Sequence, residues 1–293
     1  MKDSELIIND DGSVYHLKLK PEHIASTVIL VGDPGRVERI SKHFDEVEHK
    51  ISNREFHTHT GTYKGVRLTV LASGIGTDNI DIVLNELDAA VNFDLETGQP
   101  KPERRSLNII RIGTSGALHE DIPVGSFVIT SYGLGFDGLI YYYPYSFSDE
   151  EYDLMLRINE HIDWNENLSK PYLVKGSNEI IERLQKDMVK GVTATASGFY
   201  GPQGRKVFLT PSIQDINERL NSFSHKEHRI TNFEMETSAL YGLGKMLGHK
   251  CCTCCAIIAN RTRKEYSDDH KAVVGDLIQT VLDRLVEHSD FFS

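Results

Sequence analysis

Short apolar runs rich in β-branched residues alternate along this chain with segments whose apolar residues recur every three or four positions. No other feature restricts the possible folds as much. Thr27-Val28-Ile29-Leu30-Val31 stops at Gly32-Asp33-Pro34-Gly35. A run that short, closed by glycine and proline, reads as a buried strand ending in a turn. Arg36 to Phe44 then reads as a helix. Val66 to Ala72, Leu107 to Ile112, Ser126 to Thr130, Gly191 to Ala196 and Cys252 to Ala259 read as further strands. Between them, Ile80, Val83, Leu84, Leu87 and Val91 share one helical face, and so do Val273, Val274, Leu277, Val281 and Leu285. Glu151 to His161, Glu179 to Met188 and Ser238 to Leu247 complete the predicted helices. Such alternation predicts an α/β fold around a central sheet. Apolar segments run end to end without a linker, so residues 1–293 are expected to form one domain. Phe93 to Ser106 and Asn221 to His228 are polar enough to read as surface excursions.

Charge narrows the partners. The chain carries 43 acidic against 32 basic residues, a net −11. Such a surface repels nucleic-acid phosphates and anionic membranes, so neither is an expected partner. In an acidic chain, clustered arginines imply a specific anion. No run reaches the roughly 20 apolar residues of a membrane span, and no apolar stretch of signal-peptide length follows the charged N-terminus. A cytoplasmic protein is therefore expected. All four cysteines fall within Cys251-Cys252-Thr253-Cys254-Cys255. Neighbouring strand residues face opposite sides, which suits a metal site badly. Buried, reduced strand cysteines are the expectation.

Glycine and arginine recur where strands end. Gly32-Asp33-Pro34-Gly35-Arg36 hands a strand to a helix, where glycine lets an anion approach the backbone and the helix start offers free N–H groups. Taken alone, an ordinary tight turn explains it more simply. Arg111-Ile112-Gly113-Thr114-Ser115-Gly116 repeats the pattern after another apolar strand, at the carboxyl end where open α/β sheets bind ligands. Asn53-Arg54-Glu55-Phe56 adds a third arginine. Phe199-Tyr200-Gly201-Pro202-Gln203-Gly204-Arg205 offers a ring to stack on a nucleobase, an amide with donor and acceptor, and a guanidinium. A polar Gly-Pro loop is the competing reading. Glu236, in Phe233-Glu234-Met235-Glu236-Thr237, precedes a helix and by position alone reads as a cap. His57 and His59 alternate on a strand and share a face; without further ligands they read as exposed hairpin residues.

Taken in order, these motifs resemble the nucleoside phosphorylase family, whose members include hexameric purine phosphorylases and uridine phosphorylases. The pieces that carry the resemblance are GDPGR at 32–36, REF at 54–56, SGIG at 73–76, RIGTSGA at 111–117, FYGPQGR at 199–205, FEMET at 233–237 and ANRT at 259–262. The resemblance implies a single α/β domain with a twisted mixed sheet, assembled as a dimer at least and usually as a hexamer. It implies phosphate binding by Gly32, Arg36, Arg111 and Thr114, with Arg54 reaching into a neighbouring subunit's site. His16 matches the histidine lent across that interface to the ribose. Met235 and Glu236 match the ribose-binding pair. Phe199, Gln203 and Arg205 match the base pocket of the uridine-cleaving members, with Arg261 behind them. The implied reaction is phosphate-dependent cleavage of uridine to uracil and ribose 1-phosphate, with Arg111, Glu236 and Arg205 carrying the chemistry and no cofactor beyond the co-substrate.

Two departures stand out. The loop from Phe93 to Ser106 exceeds that of typical bacterial uridine phosphorylases. Some relatives hold potassium at the positions of Glu55, Ile75 and Asn79, but serine is usual where this chain has Asn79. Three other readings compete. A purine phosphorylase of this family carries an aspartate near the position of Asn260-Arg261, which this chain lacks. A nucleosidase has no need of three arginines facing phosphate. A catalytically silent nucleoside-binding protein has no need of the full residue set.

Overall fold

The structure, a computed structural model, describes residues 5–293. Its first half contains β1 (Thr27–Val31), α1 (Pro34–Ser41), β2 (Glu46–Asn53), β3 (Phe56–Tyr63), β4 (Val66–Ala72), α2 (Thr77–Asn92), β5 (Phe93–Asp94), β6 (Gln99–Pro100), β7 (Asn108–Ala117) and β8 (Phe127–Gly135). There follow α3 (Asp149–Ile162), β9 (Tyr172–Lys175), α4 (Asn178–Leu184), β10 (Val189–Thr195), α5 (Ile216–Ser222), β11 (Ser224–His225), β12 (His228–Glu234) and α6 (Thr237–Leu247). The chain ends with β13 (Lys250–Asn260), β14 (Glu265–Tyr266), α7 (His270–Glu287) and α8 (Ser289–Phe292).

The predicted α/β architecture is present: a mixed central sheet between two layers of helices. Alternation along β1 shows the layering, with Val28 and Leu30 packing into one apolar core and Ile29 and Val31 into the other. The first core receives α2 through Ile80, Val83, Leu84, Leu87 and Val91, together with parts of α3 and α6. The second receives α1, α4 and α7, the last through Val274, Leu277, Val281 and Leu285. These are the apolar stripes of the sequence, turned inward. Asp33 starts α1 by accepting the Gly35 N–H at 2.9 Å with Pro34 in the first turn.

The sheet runs β11-β12-β10-β8-β13-β7-β1-β4-β3-β2. In addition, β12 pairs with β7 through Asn232 opposite Ala117 and Phe233 opposite Gly116. The five strands β7, β13, β8, β10 and β12 therefore close on themselves, and the ends of β7, β12 and β13 meet.

Several expected boundaries move. The strand expected to end at Ile112 does not give way to a turn there: β7 continues to Ala117, through the whole of RIGTSGA. Its glycines do not break it because β13 pairs along its length, from Arg111 opposite Thr253 to Ala117 opposite Asn260. The helix expected to reach Met188 stops at Leu184, before Asp187 adopts a positive φ of 59°. The excursion at 93–106 holds the small β5–β6 hairpin, and that at 221–228 turns from α5 into the β11–β12 hairpin. His57 and His59 share a face of β3, as expected, but are half-buried, with His59 hydrogen-bonded to Ser41 at 2.7 Å. All four cysteines are buried and free on β13. Among the described residues no group of three metal-ligating side chains converges, and no helix is long and apolar enough to cross a membrane.

Candidate active site

Where the closed strands meet, a cavity of about 820 Å³ opens. Gly32, Arg36, Arg111, Thr114, Phe199, Gln203, Arg205, Met235, Glu236 and Arg261 all line it. The chain distance between Gly32 and Arg261 is bridged by the sheet: β1 lies beside β7, and β7 beside β13.

Arg111 is buried at the centre of a charged cluster. One end of its guanidinium meets the Glu236 carboxylate, and the other meets Glu234 at 3.2 Å and the Cys255 sulfur at 3.6 Å. Burial alone would weaken this cation, but the two carboxylates outweigh it and its pKa lies above the ordinary arginine value. Glycine at 113 is what admits the guanidinium: a Cβ there would lie 2.1 Å from Nη1. Arg36 stands nearby, donating to the Ile112 carbonyl at 3.0 Å, and burial followed by the charge of Arg111 lowers its pKa. The Nε groups of both arginines are buried without a partner among the described residues.

Glu236 takes the Gly76 N–H on its other oxygen at 2.7 Å. Burial, reinforced by Glu234, raises its pKa against the opposing pull of Arg111. The capping role expected of Glu236 belongs instead to Glu234. That carboxylate accepts the N–H groups of Glu236 at 2.9 Å and Thr237 at 3.0 Å. It stood in the same motif and was missed, because only the fold shows which of the two carboxylates turns back toward the helix.

A second cluster is built on the loop after β10. Gln203 is buried; its Oε1 accepts from Arg205 at 2.5 Å and its carbonyl from Arg261 at 2.7 Å. Burial and the charge of Arg261 push the Arg205 pKa down to about 10. The expected stacking surface of Phe199 is partly taken, since the Arg205 guanidinium lies 3.7 Å from the ring centroid. A planar ligand therefore has the outer face of that ring, which is half exposed. The β13–β14 hairpin adds Lys264, Glu265 and Tyr266 to the rim, residues that no sequence motif had marked.

His16 and Arg54 are the two phosphate- and ribose-site candidates that do not line this cavity, and of the candidate ion-site residues only Ile75 does. They form a separate surface cluster in which Arg54, at φ 52°, donates to the Tyr15 hydroxyl at 3.2 Å. Asn53 donates to the His16 carbonyl at 2.8 Å. His16 is held through Nδ1 by Glu86 at 2.6 Å, and its Nε2 has no hydrogen-bond partner among the described residues. Glu55, Ile75 and Asn79 do lie together around Gly74, but the Asn79 amide donates to the Ile75 carbonyl at 3.4 Å. A donor aimed at that carbonyl fits a cation poorly.

The model of the phosphorylase superfamily matches residues 26–288. The chain belongs to this superfamily. Within it, the chain is 31% identical over 268 residues to a uridine phosphorylase of Thermococcus kodakarensis, covering 88% of this chain and 81% of that one. A purine nucleoside phosphorylase of the DeoD type from Clostridium novyi is also 31% identical, over 239 residues, covering 77% of this chain and 97% of that one. Among solved structures, a Trypanosoma brucei nucleoside phosphorylase described as showing uridine phosphorylase activity superposes with a TM-score of 0.85. It is 32% identical, over 96% of this chain and 99% of that one. The superfamily match spans the strands and loops that wall the cavity.

Proposed function

We infer that this chain is a uridine phosphorylase, a pentosyltransferase that uses phosphate to convert uridine to uracil and ribose 1-phosphate. One observation carries the reading: two arginines, Arg111 buried and Arg36 half-buried, each with an Nε donor that has no partner among the described residues, share one cavity with a carboxylate and a Gln203–Arg205 pair. Phosphate sits against Arg36, Arg111, Thr114 and the backbone at Gly32. Glu236, with Met235 beside it, holds the ribose. Gln203 and Arg205 receive the base, with Phe199 against its face and Arg261 supporting Gln203.

The chemistry is displacement at the anomeric carbon. A phosphate oxygen bonds to that carbon as its bond to N1 of uracil breaks, and the electron pair passes to the base. Negative charge then spreads onto the uracil carbonyl oxygens, where the Gln203 amide and the Arg205 guanidinium offer donors. Arg36 and Arg111 fix the nucleophile beside a sugar that becomes cationic. No side chain forms a covalent bond, so positioning and electrostatics supply the rate. Phosphate is a co-substrate, and the scheme needs no cofactor.

The surface cluster of His16 and Arg54 supports sharing between subunits: both lie outside the cavity of their own chain. We propose a homo-oligomer, at least a dimer and in full a hexamer, in which each copy lends these residues to its neighbour. The chain folds as one domain in this reading and works in the cytoplasm, where buried free thiols stay reduced. Against a purine substrate, Asn260 spends its amide on the carbonyls of His119 and Ile122, at 2.8 and 2.9 Å, and presents no acid to a base.

The test is formation of ribose 1-phosphate from uridine, inosine and adenosine, with and without phosphate. Uridine is expected to exceed both purine nucleosides in kcat/KM by at least about a hundredfold, because a site built to hydrogen-bond its substrate rejects a mismatched analogue strongly. Equal turnover of inosine would move the assignment to purines. Turnover without phosphate would make the enzyme a nucleosidase.

A further inference from the structure

We propose that Glu234 is a positioning residue for phosphorolysis: it gathers Arg111, Thr195 and the start of α6, and so fixes both the guanidinium offered to phosphate and the carboxylate offered to ribose. The inference deepens the function proposed above and rests on it.

Four donors converge on this carboxylate. The Thr195 hydroxyl at the end of β10 donates at 2.6 Å, the N–H groups of Glu236 and Thr237 at 2.9 and 3.0 Å, and Arg111 on β7 approaches at 3.2 Å. An ionised carboxylate accepts about four hydrogen bonds and donates none, so Glu234 is saturated by its own chain. Although it lines the cavity, it has nothing left to give a substrate and acts through its neighbours. Its anion also lies at the N-terminal end of α6, where the helix dipole favours it. By holding the N–H of residue 236, it sets the backbone from which the Glu236 side chain reaches Gly76 and Arg111.

Charge gives the arrangement a second consequence. Arg36 and Arg111 bring two positive charges to the cavity, and Glu234 and Glu236 bring two negative ones. Glu234 thereby moderates the pull on an anion while holding the guanidinium in place.

Glu234→Gln separates these roles. The amide oxygen can still accept from the α6 N–H groups, but the charge is gone. With uridine and phosphate titrated separately in the ribose 1-phosphate assay, kcat is expected to fall at least about tenfold, since bonds to charged partners are the strong ones. The KM for phosphate is expected to fall as well, because one anion fewer opposes phosphate. A residue that merely supported the helix would not lower it. Thr195→Val, which at nearly constant volume removes the neutral donor to Glu234 and with it the acceptor of the Ser238 N–H, is expected to lower kcat/KM for uridine by about threefold or more, as the loss of one or two neutral hydrogen bonds allows. It decides the matter if Glu234→Gln does not fold. A wild-type enzyme that ignores phosphate would sink the phosphorylase reading itself. With an active wild type, variants whose kcat and phosphate KM match it would overturn the role of Glu234.

Discussion

Gly113→Ala tests whether the geometry around Arg111 matters as argued. Gly113 lies in the middle of β7, paired with Cys255 on β13, so its backbone cannot withdraw. An added methyl carbon would sit 2.1 Å from Arg111 Nη1, 2.8 Å from its Cζ and 3.1 Å from the Cys255 sulfur. No pair of atoms tolerates the first of these distances, and the side chain must give way. The guanidinium then leaves Glu234, which it meets at 3.2 Å, and tilts away from Glu236. A hydrogen bond to a charged group is worth roughly 1.5–3 kcal/mol. At about 1.4 kcal/mol per decade, losing one lowers the rate by roughly ten- to a hundredfold. The assay is a phosphate titration at saturating uridine, with circular dichroism and thermal melting to establish that the variant folds. The loss should fall on kcat/KM for phosphate. A folded Gly113→Ala enzyme with wild-type phosphate dependence would refute the placement of Arg111 in the phosphate site.

Four further outcomes follow from the same site. Arg111→Ala should raise the KM for phosphate and lower kcat/KM at least about tenfold, and unchanged phosphate kinetics in folded protein would count against it. Arg54→Ala and Arg111→Ala proteins, each impaired on its own, should recover activity when their subunits are exchanged, because a mixed dimer contains one intact site; a fully active monomer by light scattering would end this idea. Gln203→Ala should remove most of the preference for uridine over inosine while leaving phosphate KM nearly unchanged, and a retained preference would displace Gln203 from the base pocket. Native protein should contain far less than one zinc per chain and resist thiol reagents until unfolded, since burial pushes the Cys255 thiol up to about 12 and raises that of Cys251. Stoichiometric zinc by elemental analysis would contradict this.

Much of the fold was readable in the chain because local patterns report burial directly. The helix stripe from Ile80 to Val91 and the five-residue run at Thr27 could each satisfy their apolar atoms in only one way, and both occur as expected. Local signals failed where strand pairing overrode composition. Glycine and hydroxyl residues in RIGTSGA look like a turn in isolation, yet neighbours on both sides hold them in a strand.

The site divides along the same line. Its motifs name the residue types that phosphate, sugar and base require, so Arg36, Arg111, Glu236, Gln203 and Arg205 were all marked by sequence. What the motifs leave open is direction. Glu234 and Glu236 stand two positions apart with the same side chain and both meet Arg111, but one turns back to hold the helix while the other reaches Gly76. Nothing local separates them. The choice is made by a strand pairing across more than a hundred residues, β12 against β7, which brings the end of one strand against the arginine of another. Sequence alone determined which chemical groups this protein has to offer. The closure of its sheet decided which of them meet in the cavity, because contacts between distant segments depend on how the layers pack and not on the order of residues within any one of them.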